Sequence, residues 1–251
     1  MMPFYEEDLA YVHHVGFPDL VDGAGDELLA LFRAAGLDSG LIIDLGCGSG
    51  TWARKLLEHG YSVLGVDVSA PMIELARRTA PEAQFQTASL YDVDFRPCAA
   101  VTALGEALNY CADGAPSEAR LDRLFRNIAS CLPKGGVFAF DILVRSDGEP
   151  MHYRSWRKGP DWAVLVEISE QPQENLLIRD ITVFRKGGHG YRRSEERHRI
   201  GVLGGAQIER LLAGAGFEVT VSPHYGRHPL AQRRLAYIAY KRSDEGLLPE
   251  G

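Results

Sequence analysis

Cysteine is scarce: four in 251 residues, at 47, 98, 111 and 131, and none forms a C-x-x-C pair. That spacing argues against a zinc site and against a disulfide framework, leaving four ordinary small core residues and no expected metal. No apolar run approaches the ~20 residues needed to cross a bilayer. The acidic opening MMPFYEEDLA lacks the basic and apolar regions of a signal peptide. A cytoplasmic protein without a membrane partner is expected. Positive charge is also short, with 27 Lys and Arg against 34 Asp and Glu, a formal net charge of -7. Phosphate neutralisation wants a basic face, so a nucleic-acid partner is not expected. The local exception is RKGGHGYRRSEERHR, 185 to 199, which Glu195 and Glu196 interrupt. It reads as a polar hairpin in the first instance and as a basic substrate wall in the second.

What is present begins with core-forming capacity: 45% of residues are hydrophobic, enough for one domain plus an insertion. The segment LIIDLGCGSG, 41 to 50, runs an apolar strand into Asp44 and then into Gly46, Gly48 and Gly50. Glycines on alternating positions permit a tight turn and close approach of a ligand to bare backbone. A second apolar strand, VLGVDVS at 63 to 69, ends in Asp67, where a carboxylate can accept hydrogen bonds from ribose hydroxyls. Strand, glycine loop and acid together describe a nucleoside pocket.

The dinucleotide fingerprint G-x-G-x-x-G would place its third glycine at position 51, which is Thr51. The observed G-x-G-x-G after Asp44 instead resembles motif I of the class I S-adenosylmethionine-dependent methyltransferases. The resemblance runs over about 40 to 145 and again over 204 to 240, in the order and spacing of elements. It implies an acid near the methionine end of the cofactor at Asp44, a ribose acid at Asp67 followed by Val68, and adenine packing at Met72. QTASLYDVDF, 86 to 95, resembles the stretch that holds the adenine edge, with Ser89 and Leu90 at the matching places. Many relatives carry an acid where this chain has Ser89. S-adenosyl-L-methionine is therefore the expected cofactor and S-adenosyl-L-homocysteine the product.

After the fourth strand come Gly105, Glu106, Asn109 and Tyr110, and CLPKGGVFAFDI (131 to 142) resembles the family's helix, turn and fifth strand. In a doubly wound sheet ligands lie outside the carboxyl ends of the strands, so the 105 to 110 segment is expected to face the transferable methyl. The βαβ rhythm from 41 to 142 stops after Leu143, where HYRSW, WAVLVEIS, LLIRDITVFRK and YRRSEERHRIGVL read as antiparallel strands. The expected fold is α/β: a Rossmann-like seven-stranded mixed sheet with helices on both faces, plus a small antiparallel β insertion. Its expected divisions are an N-terminal helical segment (1 to 36), a cofactor-binding core (37 to 145 and 203 to 242), the insertion (146 to 202) and a flexible tail (243 to 251). The architecture is similar to amino-sugar N,N-dimethyltransferases and glycine or sarcosine methyltransferases, in which such an insert borders the substrate or makes a subunit contact. A homodimer through the insertion is one expectation.

Methyl transfer from a sulfonium needs mainly alignment and a dry site. A neutral amine attacks unaided, whereas a hydroxyl or carbon acid wants a base, and the candidates by position are Glu106, Tyr110, His13, His14, Tyr5 and Tyr11. Glu106, Tyr110 and His14 are taken as catalytic candidates, and Tyr5, Tyr11 and Asn109 as contacts to a small-molecule acceptor through nitrogen or oxygen. Each has a plainer reading: Glu106 as a helix cap, Asn109 and Tyr110 as packing residues, and 4 to 17 as a surface helix rather than a lid. Trp156, Trp162 and Tyr153 read as core before substrate wall. Two other functions stay open, a non-catalytic nucleoside-cofactor-binding protein and an NAD-dependent oxidoreductase.

Overall fold

Strands that are apolar on both faces become the centre of the sheet. The computed structural model describes residues 4 to 112, 114 to 188 and 190 to 242, so the tail expected at 243 to 251 lies outside the described residues. Two helices lead in, α1 (Glu7–Gly16) and α2 (Asp19–Ala34). Then follow β1 (Gly40–Leu45), α3 (Thr51–Glu58), β2 (Tyr61–Asp67), α4 (Ala70–Thr79), β3 (Gln84–Thr87), β4 (Ala100–Ala103), α5 (Glu118–Cys131) and β5 (Val137–Leu143). An inserted sheet comes next: β6 (His152–Lys158), β7 (Trp162–Gln171), β8 (Leu176–Gly187) and β9 (Gly190–Gly201). The chain closes with α6 (Gly205–Gly214), β10 (Phe217–Ser222), a small hairpin of β11 (His224–Tyr225) and β12 (His228–Pro229), and β13 (Arg234–Lys241).

The seven-stranded sheet has the order β10-β13-β5-β4-β1-β2-β3, and β13 runs antiparallel between β5 and β10. β5 shows how the two faces are filled. Val137 and Ala139 pack with α2 and α3, whereas Phe138, Phe140 and Ile142 pack with α5 and α6. On the second face Phe138 and Phe140 stack at 4.5 Å and Phe140 meets Tyr237 at 5.0 Å. Each such ring, fully buried, stabilises the fold by about 1.5–3 kcal/mol. The α4 and α5 helices begin at serine caps, Ser69 accepting from Met72 N and Ser117 from Arg120 N.

The four strands of the insertion form their own antiparallel sheet. Its inner face receives α1: Leu9 and Val12 pack among Trp162, Val164, Ile181 and Val183. A side chain at Gly16 would come within 2.7 Å of the Trp162 ring. The first helix also touches α4, so it is wedged between insertion and core rather than lying on the surface. The arginines of 185 to 199 are largely spoken for by acids, Arg185 and Arg192 by Asp8, Arg193 by Glu195 and Arg197 by Asp180. That is the polar-hairpin reading, not a basic wall. Of the insertion's aromatics, Trp162 is core, while Trp156 and Tyr153 are exposed. Cys47, Cys98 and Cys131 are buried. Among the described residues no helix is long and apolar enough to cross a membrane, and no cluster of three or more His, Cys, Asp or Glu is placed to hold a metal.

Candidate active site

One cavity of about 760 Å³ opens at the carboxyl ends of β1, β2 and β4 and is roofed by α1 and the insertion. The loop after β1 is pulled under β2, since Gly46 N and Cys47 N both donate to Val66 O at 2.7 and 3.0 Å. Asp67 then fastens it from the other side, accepting from Gly48 N and Ser69 N, each at 2.9 Å. Asp44 accepts from Thr102 Oγ1 at 2.7 Å, and Trp52 Nε1 donates to that hydroxyl at 3.3 Å. Burial raises Asp44 to about 7 against the Thr102 bond, and burial likewise raises Asp67 against its backbone donors. Among the described residues neither acid has a cationic side chain bound to it.

Asp44, Gly46, Gly48, Asp67, Val68, Met72, Ser89, Leu90 and Gly105 all line the cavity. The residues fit S-adenosylmethionine on an observation of their own: a buried carboxylate, Asp44, and a half-buried one, Asp67, neither with a counter-cation among the described residues, flank a loop open to the ligand. A Cβ added at Gly48, whose φ is +53°, would meet nothing within 4 Å. Asp44 would face the cofactor's cationic end, Asp67 its ribose, and Val68 with Met72 its base. When bound, the sulfonium supplies an activated methyl group.

The opposite wall joins four separate parts of the chain. Glu106 sits at φ +64° ahead of a short 3-10 turn at Ala107–Asn109, so it caps no α-helix. Its carboxylate is shared between Arg179 of β8, whose Nη2 lies 2.5 Å from Oε2, and Arg234 of β13, whose Nε donates to Oε1. Arg179 Nη1 also donates to Tyr110 OH at 3.1 Å, and Tyr110 OH pairs with Tyr5 OH at 3.0 Å. Tyr5 is pushed well above the usual phenol range by burial, with Tyr110 adding through charge and hydrogen bond. Beneath this group Asp141 accepts from Gly105 N at 2.8 Å, Glu106 N at 3.0 Å and Tyr225 OH at 3.1 Å. Burial lifts Asp141 to about 6. The carboxylate therefore holds the turn that presents Glu106.

Four expected site residues are used differently. Gly50 is absent from the cavity lining, and a Cβ there would come within 2.9 Å of Ala76 Cα, so it lets α3 pack on α4. Asn109 is fully buried and spends its amide on backbone, donating to Leu143 O and Gly201 O at 2.9 and 2.7 Å and accepting from Leu143 N at 3.0 Å. Its amide has no face left for an acceptor. Tyr11 donates to Asp161 at 2.8 Å under the Arg185 guanidinium and fixes α1 to the insertion. His14 lies 2.9 Å from Ser49 Oγ, on the glycine loop rather than on the wall with Tyr110.

The sequence reading missed Arg179, Arg234 and Asp141. Asp141 left a signal, an acid inside the otherwise apolar FAFDIL. The arginines left none, because strand alternation does not say which face meets the core.

Residues 42–136 match the profile of a family described as a methyltransferase domain. The dTDP-3-amino-3,6-dideoxy-alpha-D-glucopyranose N,N-dimethyltransferase of Streptomyces fradiae is 26% identical over 200 residues, which is 78% of this chain and 77% of that protein. The sugar N-methyltransferase KedS8 from a Streptoalloteichus species superposes with a TM-score of 0.74 at 21% identity, over 97% of this chain and 94% of the other. CalS10, an amino pentose methyltransferase of Micromonospora echinaspora solved with S-adenosylmethionine bound, gives 0.75 at 18% identity, over 96% and 100%. Fold, glycine loop and paired acids define a class I S-adenosylmethionine-dependent methyltransferase. Within that architecture the chain carries an antiparallel insert after the fifth strand. The dinucleotide alternative is not favoured, because its usual strand order has no antiparallel β13 between the last two strands.

Proposed function

We propose that the chain methylates the amino nitrogen of a polar small molecule of the amino-sugar class. The observation that carries this is an acceptor wall without a free base. Both Glu106 oxygens are held by guanidinium groups, and the Tyr5 and Tyr110 phenols are bonded to one another. Burial holds Tyr5 protonated, and burial first of all lowers His13 to about 4, so neither takes up a proton at neutral pH. A hydroxyl acceptor must surrender its proton as the new bond forms, and neither Glu106 nor the paired phenols stand free to receive it. An amine attacks through its lone pair and loses a proton to water afterwards. The rest is alignment in a space that α1 and the insertion roof over. The name of the Streptomyces fradiae relative points the same way.

In this reading Asp44, the glycine loop, Asp67, Val68, Met72, Ser89, Leu90 and Gly105 hold the cofactor. Tyr5 and Tyr110 border the acceptor, and Glu106 positions that wall through its two arginines. The 1 to 36 segment acts as a lid, 146 to 202 as a substrate cap, and 37 to 145 with 203 to 242 as the catalytic core. The protein works in the cytoplasm as a homodimer joined through the insertion, whose outer face carries Trp156 at 70% and Leu165 at 47% exposure. Sedimentation equilibrium checks the dimer. Activity is tested with S-adenosylmethionine and dTDP-3-amino-3,6-dideoxyglucose against the 3-hydroxy analogue, read by mass spectrometry. One or two methyl groups on the amine are expected, and methylation of the hydroxyl analogue alone overturns the amine assignment.

A further inference from the structure

His13 lies half-buried on the inward arc of α1, and among the described residues no group hydrogen-bonds to its ring. At ~100° per residue Leu9 and Ala10 lie on either side of it, with Val12 and Gly16 completing the arc. All four of those neighbours are buried. The imidazole meets Tyr5 edge-on at 5.2 Å and stacks on Phe17 at 5.8 Å. Its ring borders the cavity, and among the described residues neither of its nitrogens has a hydrogen-bond partner. The ring is half-buried at the edge of the cavity, where a polar group of a bound molecule can reach it. His14, the next residue, is not equivalent, because its Nδ1 is engaged with Ser49 on the glycine loop. The helix thus aims one histidine at the cofactor loop and the other at the wall of Tyr5 and Arg179.

The electrostatic surroundings say which kind of ligand group suits it. Burial is the largest influence on His13, followed by the charges of His14, His198 and Arg179, and all four disfavour the imidazolium. The neutral ring keeps one nitrogen bare, and a bare ring nitrogen accepts hydrogen bonds. Tyr5 approaches through its ring while its hydroxyl pairs with that of Tyr110, and Arg179 donates to Glu106 and Tyr110. Among the described residues no donor is bonded to the His13 ring.

We propose that His13 is an acceptor-binding residue, its bare ring nitrogen receiving an N–H of the methyl-accepting amine and so turning the amine's lone pair toward the methyl group. This rests on the amine reading given above. The ring does not remove the proton; it fixes orientation, and the proton leaves to water after transfer.

The test is calorimetric and needs no turnover: dTDP-3-amino-3,6-dideoxyglucose is titrated into protein saturated with S-adenosylhomocysteine. His13→Phe keeps the ring and its stacking on Phe17 while removing both nitrogens, and is expected to weaken binding of the amino sugar about 3- to 10-fold, the scale of one neutral hydrogen bond. His13→Gln, which restores an acceptor atom, is expected to bind more tightly than His13→Phe. S-adenosylhomocysteine affinity should be the same in all three proteins. Wild-type affinity for the amino sugar in His13→Phe overturns the proposal, as does a parallel loss of S-adenosylhomocysteine affinity, which would put His13 on the cofactor. If the wild-type protein binds the 3-hydroxy analogue and not the amino sugar, the amine reading fails and the proposal with it. If the wild type binds the amino sugar and only the His13→Phe effect is missing, the amine reading stands and the proposal alone falls.

Discussion

Replacing Glu106 with Gln removes one negative charge and leaves two guanidinium groups facing each other at the join of insertion and core. Taking one partner out of a buried ion pair costs about 3–5 kcal/mol, chiefly because the remaining charge is left uncompensated. That figure is an upper limit here. The Arg234 side chain is 32% exposed and Arg179 15%, so solvent in the cavity screens part of the loss. Arg179 also keeps its bond to Tyr110, and the amide oxygen of the replacement side chain still accepts from one arginine. A net loss of about 2–3 kcal/mol is expected, or roughly 5–10 °C in melting temperature for a chain of this length. Urea unfolding followed by circular dichroism, without cofactor at pH 7, measures it. Removing the repulsion as well, in Glu106→Gln/Arg179→Met, should cost at least about 1 kcal/mol less than the sum of the single changes. A Glu106→Gln protein within about 0.5 kcal/mol of wild type, or a strictly additive double variant, would refute the account of Glu106 as the bridge.

Asp44 gives a pH prediction whose sign follows from its value of about 7. Folding lifts this acid above its unfolded value of about 3.9, so the stability linked to its neutral form is full below about pH 4 and is lost as pH rises toward 7. A cationic cofactor favours the ionised form, so binding near pH 7 should release a proton and tighten as pH rises through that range. Titrations in two buffers of different ionisation enthalpy check this, and equal heats, or a difference that survives in Asp44→Asn, count against it. The glycines separate two kinds of loss. Gly50→Ala should cost about 1–3 kcal/mol of stability, from a positive φ and the contact with Ala76, and change cofactor affinity little once folded. Gly48→Ala carries a similar positive-φ cost but meets nothing within 4 Å, so it should destabilise less than Gly50→Ala and weaken S-adenosylhomocysteine binding more; if the two variants behave alike, the roles given to these residues are wrong.

Much of the cofactor half could be read from the chain, for a local reason. Asp44, the glycine loop and Asp67 sit within one βαβ unit, where spacing alone determines what lies at the strand ends. The acceptor half depends on β8 and β13 returning to the turn after β4, so its polar residues were visible but not their partners. Glu106 looked like a base because Arg179 and Arg234 are 73 and 128 residues away. Asn109 follows the same logic: a polar residue past a strand end suggests a ligand contact, whereas the base of the insertion takes up its amide.

That amide has a consequence for how such a protein can change. Asn109 grips Leu143, where the chain leaves the core, and Gly201, where it comes back, and Val144 bridges Leu203 directly beside them. The two legs of the insertion are neighbours at one doorway. A segment attached in this way can lengthen, shorten or be traded for another without re-threading the sheet. Modular descent of this kind leaves the chemistry of the glycine loop untouched while the roof over the acceptor is rebuilt.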